Sequence, residues 1–432
     1  MLKAVVLGGG LSGLAAAHTL VKNGIETLLL ESDKTLGGLA SSYFVDGEYI
    51  PKTYHHVMYG DTVTLGIIRE LNLEKDLYWK KLKVGFYSKG KFYDFSSSAS
   101  ILKFKPISLW GRARFGFLVL KARRKANWQD LDGVSVENYC LETAGKEAYK
   151  LVSYIVKAKF AEPPSNVSAA WLMSRFGHES KSLSNQFGYL KGGIEQIVQG
   201  LAEKCKENGT IAINARATRI AVERGRVQKV EYQENGKTKE AKPDILVSTL
   251  PVPALLDVAE GLPKEYEDKL RNIKYKSSLC AAIALSKEVS SFYWLNIMDL
   301  EKHPFVGVFE HGHLNNNLRY PSILFVVKYL NATDSYWQKP DQEIIEEFLS
   351  HLGEIFDCNM KEQVLWWRLH RAEYSTPLFT PYYSKYMPQA ASPVNGLYIG
   401  GISRTYPRDR YMGTAFETGI EAAQEALARS RQ

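Results

Sequence analysis

Only four cysteines occur in 432 residues, Cys140, Cys205, Cys280 and Cys358, far apart and with no CxxC pair or Cys/His cluster. That excludes a disulfide scaffold and a zinc module; the thiols read as reduced core residues of a cytoplasmic protein, and no metal is expected. Long apolar runs are also lacking. Stretches such as Phe117–Leu120 and Leu279–Leu285 are well short of the roughly 18 residues a spanning helix needs, so an integral membrane protein is excluded. No basic leader or small-residue cleavage site precedes the apolar run that begins at Leu2, which predicts no secretory signal. Nucleic-acid-binding motifs are absent, so no nucleic-acid partner is expected.

Acidic residues are missing locally. None lies between Phe95 and Gln129, where Lys103, Lys105, Arg112, Arg114, Lys121, Arg123, Arg124 and Lys125 alternate with Ile101, Phe104, Leu109, Trp110, Phe115, Phe117 and Leu120. With a net charge of +8 and a pI near 9.0, this pattern suits a peripheral contact with an anionic bilayer or the entrance to a lipid-accepting tunnel. The plainer reading is a solvated helix pair. The substrate is expected to be a small molecule, lipid-like or anionic; oligomeric state is left open.

What is present begins at once. Leu2 to Leu7 (LKAVVL) reads as a buried parallel strand, Gly8-x-Gly10-x-x-Gly13 as the turn after it, and Leu14, Ala17 and Val21 as the inner face of a helix. Gly8 permits the turn, Gly10 allows close approach of a pyrophosphate, and Gly13 lets the helix pack tightly, which places phosphates at a helix N-terminus. A second strand, Thr27 to Leu30, ends at Glu31, 18 positions after Gly13 and suitably spaced to accept hydrogen bonds from a ribose diol. A dinucleotide-binding unit follows. The fingerprint occurs once, where enzymes binding two dinucleotides usually show two, so the implied nucleotide is one that stays bound.

At this length and 45% hydrophobic content, two domains are expected. Residues 76–184 carry helical periodicity, with strand-like pieces at Val84 to Tyr87 and Lys91 to Phe95. Ala217 to Glu223, Arg226 to Gln233 and Lys237 to Ala241 predict a meander with turns at Gly225 and Asn235-Gly236. Asp244 to Pro251 returns the chain to the nucleotide unit. Strands near 280–286, 305–310, 322–330 and 363–370 predict a second sheet, interrupted by a helix over Asp341 to Phe356. Gly396-Leu-Tyr-Ile-Gly-Gly401 is a closing strand, and Gly413-Thr-Ala opens a helix with Phe416, Ile420, Ala423 and Leu427 on its apolar face.

GGGLSGL at 8–14, Glu31-Ser-Asp-Lys-Thr-Leu-Gly37-Gly38-Leu-Ala-Ser-Ser, and Tyr398-Ile-Gly-Gly with Gly413-Thr-Ala-Phe-Glu-Thr-Gly419 together resemble the flavin-containing amine oxidase superfamily. That group includes protoporphyrinogen oxidases, phytoene desaturases, monoamine oxidases and, more distantly, UDP-galactopyranose mutases. Protoporphyrinogen oxidase-like members are further suggested by Tyr54-His-His-Val, Phe187-Gly-Tyr-Leu-Lys-Gly-Gly193, Gly307-Val-Phe-Glu-His311, Ala372-Glu-Tyr-Ser-Thr-Pro377 and Tyr406-Pro-Arg-Asp-Arg410.

The resemblance implies an α/β fold: an FAD-binding Rossmann-like domain of the glutathione-reductase-2 type (1–75, 185–250 and 390–432) and a substrate-binding domain (76–184 and 251–389). The latter combines a helical lobe, 96–184, with a mixed or antiparallel sheet, 251–389. FAD would be held by Gly8, Gly10, Leu11, Ser12 and Gly13, by Glu31 and Ser32, by Gly37, Gly38, Leu39 and Ala40, and by His56, Ala217, Thr249, Gly401, Gly413, Thr414 and Ala415. Two positions depart from the pattern. Gly401 stands where many relatives carry an aspartate, and Leu39 where amine oxidases often carry an arginine.

Flavin chemistry asks the protein mainly for position, dryness and charge near the ring. His55 and His56 are candidate catalytic groups at the junction between the two units, able to orient substrate or move a proton, or else structural histidines. His311, beside Glu310, forms another acid/base pair. Arg404, Arg408 and Arg410 flank Asp409; Arg408 is taken as a candidate grip on an anionic substrate, the alternative being an Asp–Arg network that pins a loop. The expected activity is FAD-dependent oxidation or desaturation of an apolar or isoprenoid-like molecule. The alternatives are a redox-neutral mutase acting on a nucleotide sugar and a flavin-binding protein without turnover.

Overall fold

The computed structural model describes residues 2–124, 127–179, 186–315 and 317–430. Lys125 of the basic segment and residues 180–185, where the helical lobe was expected to end, lie outside them.

The fold is mixed α/β. A five-stranded parallel sheet has the order 209–212, 26–30, 3–7, 245–248, 397–399. The central strand Lys3–Leu7 is buried at four of five positions, as a strand covered on both faces should be. One face is covered by helices α1 (Leu11–Lys22) and α7 (Glu195–Lys206), the other by the antiparallel meander Ala215–Glu223, Arg226–Glu234 and Lys237–Ala241. Between α1 and α7 in sequence come α2 (Thr62–Glu70), α3 (Ser98–Leu102), α4 (Leu109–Arg123), α5 (Val136–Phe160) and α6 (Ala169–Glu179). After α7 follow α8 (Val252–Val258), α9 (Lys264–Leu270), α10 (His311–Leu314), α11 (Asp341–Phe356) and α12 (Met412–Ser430).

A seven-stranded sheet has the order 364–377, 275–285, 322–330, 307–310, 294–297, 84–88, 91–94; only the pairing of 294–297 with 84–88 is parallel. Its strands Tyr275–Leu285 and Ser322–Leu330 are buried at nearly every position, with successive side chains entering opposite cores. Leu279, Ala281, Ile283, Leu324 and Val326 pack under α11, whose stripe of Ile344, Ile345, Phe348, Leu349 and Leu352 is spaced for one helix face. Cys280, Ala282, Phe325 and Val327 point the other way, into the core shared with the parallel sheet. Helices α4, α5 and α6 join in a third core around Phe115, Leu118, Leu151, Val156, Phe160, Trp171 and Phe176.

The two strand-like pieces inside 76–184 therefore close one edge of the large sheet. Two further strands carried no legible period. Leu77–Lys81 pairs with Gln186–Leu190, and Trp294–Ile297 pairs with 307–310; both are short and half-buried, so neighbours rather than sequence pattern fix them. Among the described residues no helix is long and apolar enough to cross a membrane.

Candidate functional site

The loop after the first strand is built from glycines that have no room for a side chain. Gly8 takes φ +96°, and a Cβ on Gly13 would lie 1.8 Å from the Gly8 carbonyl oxygen, so α1 can start against the turn only because residue 13 is glycine. The segment Gly37–Ala40 docks on this loop: the Gly37 amide donates to the Gly9 carbonyl at 2.8 Å, and a Cβ on Gly38 would come within 3.1 Å of Gly10 Cα. Leu39 and Ala40 complete the turn. The Glu31 carboxylate accepts the Gly9 N–H at 2.6 Å and the Asp33 N–H at 2.7 Å, and the Ser32 hydroxyl donates to it at 3.3 Å. Oε1 thus accepts twice, while Oε2 accepts once and keeps a further lone pair. The meander enters beside it, with the Ala215 N–H donating to the Glu31 carbonyl, which brings half-buried Ala217 to the same edge.

Ser12 and Thr249 serve the scaffold through their side chains. The Ser12 hydroxyl accepts the Gly401 N–H at 2.9 Å and meets Thr418 Oγ1 at 3.2 Å, while Thr249 Oγ1 donates to the Leu7 carbonyl at 2.8 Å. Gly401 has φ +87°, and a Cβ there would sit 3.0 Å from the Thr249 carbonyl oxygen. An aspartate at this position would be strained and crowded, which gives the departure noted in the sequence a physical reason. Helix α12 crosses α1 so closely that a Cβ on Gly419 would lie 1.9 Å from the Ser12 carbonyl oxygen. At its start the Gly413 N–H donates to buried Asp61, whose carboxylate also accepts Thr64 N–H and hydroxyl. The Gly413 amide is thus already bonded. The Thr414 hydroxyl donates to the Asp409 carbonyl at 2.8 Å.

A cavity of about 350 Å³ lies between this helix start, the large sheet and the helical lobe. His55, His56, Tyr54, Tyr411 and Met412 line the part next to α12. Phe86, Phe95, Phe115, Val119, Ile155 and Phe176 form an apolar wall toward α3 to α6. Burial pushes the His55 imidazole down to about 4 and that of His56 to about 3, so both rings are neutral at pH 7. His55 Nδ1 contacts the Thr53 carbonyl at 3.0 Å, and His56 Nδ1 contacts the Tyr293 hydroxyl at 2.8 Å. They can orient a substrate, but a free positive charge on either is disfavoured.

Two expected residues lie elsewhere. His311 is buried between Tyr189 and Phe325, with ring centroids 5.1 and 5.3 Å away, and does not line the cavity; burial also pushes it down to about 3. Its neighbour Glu310 is pushed up to about 7, chiefly by burial, and bonds Ser322. Arg408 is exposed and pairs with Glu417, while Arg404 pairs with Glu421. Of the three arginines, Arg410 alone reaches the cavity. Sequence reasoning missed its companions Lys159 on α5 and Arg175 on α6. Their signal was a lone cation set among the apolar residues of a buried helix face, beside Phe160 and Phe176.

Comparison with known proteins agrees with this geometry. The model of the family described as flavin containing amine oxidoreductase matches residues 11–427. An L-amino-acid oxidase from Naja atra is 21% identical, over 99% of this chain and 88% of its own. A 15-cis-phytoene desaturase from Narcissus pseudonarcissus is 21% identical, over 96% of this chain and 76% of its own. In fold, the chain is similar to reduced UDP-galactopyranose mutase, with a TM-score of 0.77 at 16% identity, covering 100% of this chain and 97% of that one. The residues fit FAD: glycines without space for Cβ line the path of a pyrophosphate, and the Glu31 carboxylate ends the second strand.

Proposed function

Because the chain belongs to the flavin-containing amine oxidoreductase family and uses FAD as its cofactor, we propose that it oxidises or desaturates an apolar or isoprenoid-like small molecule. The observation that carries this reading is the apolar wall of the cavity, which joins the start of α12 to the helical lobe. The pyrophosphate would be held at Gly8 to Gly13 and Gly37 to Ala40, and the ribose at Glu31. The family's flavin supplies a hydride acceptor. The chain's own contribution is to position substrate along Phe86, Phe115 and Phe176, to keep water away from it, and to present neutral His55 and His56 beside it.

Helix α4 supports a lipid-like source. It is apolar on both faces: Phe115 and Leu118 are buried, while Leu109, Trp110, Phe117 and Leu120 are 65, 66, 55 and 58% exposed among its basic residues. Such a helix fits the edge of an anionic bilayer.

A redox-neutral rearrangement of a nucleotide sugar is the second reading, favoured by the cations at 159, 175 and 410. Its weakness is the predominance of phenylalanine, valine and isoleucine around them. Anaerobic incubation of the FAD-loaded protein with a lipid extract and, separately, with a nucleotide-sugar mixture decides between them. Bleaching of the flavin bands by the lipid extract alone is expected; isomerisation of a sugar without net reduction would overturn the oxidase reading.

A further inference from the structure

The face of the large sheet that α11 covers carries a group of side chains with no part in the cavity. Among the described residues, His303, His351 and Glu354 each place a ring nitrogen or carboxylate oxygen within 4.8 Å of the other two. None of the three lines the cavity. His303 and His351 lie 48 positions apart, so no ligand spacing in the sequence joins them, and the expectation of no metal, which considers cysteine and Cys/His spacing, does not reach them.

His303 is set by the turn that follows strand 294–297. The Asp299 carbonyl accepts the Lys302 and His303 N–H groups at 3.0 Å each, and the Asp299 carboxylate accepts the Lys89 N–H at 2.6 Å, which ties the turn to the edge hairpin. His303 is 2% exposed, and its ring packs against Tyr87 and Phe305, with centroids 5.7 and 6.3 Å away. Its Nε2 has no partner, so the ring's polar contact is His351, Nδ1 to Nδ1 at 3.2 Å. His351 and Glu354 are three apart on α11 and share a helix face, His351 half-buried and Glu354 exposed.

Two Nδ1 atoms this close cannot both carry hydrogen, so at least one directs a lone pair at the other. A hydrogen bond between the rings satisfies that pair but makes no use of the carboxylate. A divalent metal uses all three groups. Ligands at about 2.0–2.2 Å from a tetrahedral zinc stand about 3.3 Å from one another, close to the 3.2 Å between these nitrogens. Glu354 has to come nearer, and its side chain is free to turn: its partner is Lys302 Nζ at 2.8 Å, an exposed ion pair of the kind that contributes little. Two imidazoles and one carboxylate suit zinc and its transition-metal neighbours rather than magnesium or calcium.

We propose that His303, His351 and Glu354 bind one zinc-class divalent ion, with water in the fourth position, and so clasp the C-terminal part of α11 to the turn 299–303 and the sheet edge behind it. The inference is independent of the substrate reading above. Its placement outside the cavity makes the ion a structural clasp and not a catalytic centre.

Equilibrium dialysis of the FAD-loaded, tag-free protein against Zn²⁺ after chelation tests this, with Mg²⁺ as the oxygen-preferring control. One zinc per chain and no magnesium are expected, together with a melting temperature that rises as zinc occupancy rises. His351→Gln should weaken zinc binding by more than about 100-fold, because loss of an outer-shell partner alone costs about 10–100-fold. Glu354→Gln should weaken it less. Lys302→Met, which removes the competing ammonium, should bind zinc at least as tightly as the parent, and all three variants should keep their flavin.

No stoichiometric zinc uptake overturns the site, and leaves a hydrogen-bonded histidine pair. Uptake that His351→Gln and Glu354→Gln leave unchanged places the ion elsewhere and overturns it equally. Weaker zinc binding in Lys302→Met would contradict the displacement of Lys302 and with it the role of Glu354 as a ligand.

Discussion

Gly13→Ala is the sharpest single perturbation of the nucleotide loop. In a helix, Gly to Ala is ordinarily favourable by up to about 1 kcal/mol. Here the new Cβ would lie 1.8 Å from the Gly8 carbonyl oxygen, 2.9 Å from its carbonyl carbon and 3.0 Å from Thr249 Oγ1. Two of these atoms are backbone of the turn proposed to hold the pyrophosphate, so relief requires α1 to move away from the first strand. Overpacking of this kind costs roughly 1–3 kcal/mol, which exceeds the propensity gain. Gly66→Ala supplies the control: Gly66 lies inside α2 and a Cβ there meets nothing within 4 Å. Thermal unfolding with and without added FAD, together with flavin content after purification, is the assay. Gly13→Ala should lower the melting temperature and lose most of its FAD, whereas Gly66→Ala should unfold slightly later with full FAD. Normal flavin content and stability in Gly13→Ala would refute the close-packing argument.

Four further outcomes are expected. Replacing Glu31 by Gln removes a charged acceptor from the Gly9 and Asp33 amides and should weaken FAD roughly ten-fold in a dialysis titration. His55 and His56 are held below the unfolded value of about 6.5, so the unfolded chain binds more protons between that pH and about 4; stability should fall on acidification through this window, more shallowly in His56→Asn. Glu310, raised to about 7, acts in the opposite sense as pH rises from about 4.5 and should blunt the slope without reversing it. Arg408→Gln, altering an exposed pair with Glu417, should change stability by less than about 0.5 kcal/mol and leave flavin content intact. Trp110→Glu combined with Phe117→Glu should abolish salt-sensitive co-sedimentation with vesicles rich in anionic lipid, while a neutral-vesicle control shows no binding of either form.

The glycine turn and the strands and helix around it were largely legible because they depend on local rules. A buried strand, three glycines at fixed spacing and an acid at the end of the next strand are all written within about thirty residues, and Gly37-Gly38 follows directly. The meander and α11 were legible for the same reason, through period-two and helix-face patterns. The cavity was not. Lys159, Arg175, Tyr329 and Arg410 come from four distant stretches, and only the packing of α5 and α6 against strand Ser322–Leu330 and the loop before α12 brings them together. Arg404, Arg408 and Arg410 look alike around Asp409 in the sequence, yet two residues along that loop decide whether an arginine faces Glu417 at the surface or Tyr329 in the cavity. His311 misled in a similar way: an acid and a histidine at the end of an apolar strand resemble an acid/base pair, but the strand delivers them into the core.

Gly8 to Gly13, Glu31, Gly37 to Ala40 and the start of α12 are proposed to form one FAD cradle opening onto an apolar cavity. The most direct measurement is the visible spectrum of the purified protein, with quantitation of flavin released on denaturation, before and after anaerobic addition of an apolar lipid extract. One FAD per chain, with bands that bleach when the extract is added, is the predicted result. A colourless protein that takes up no added FAD would contradict it.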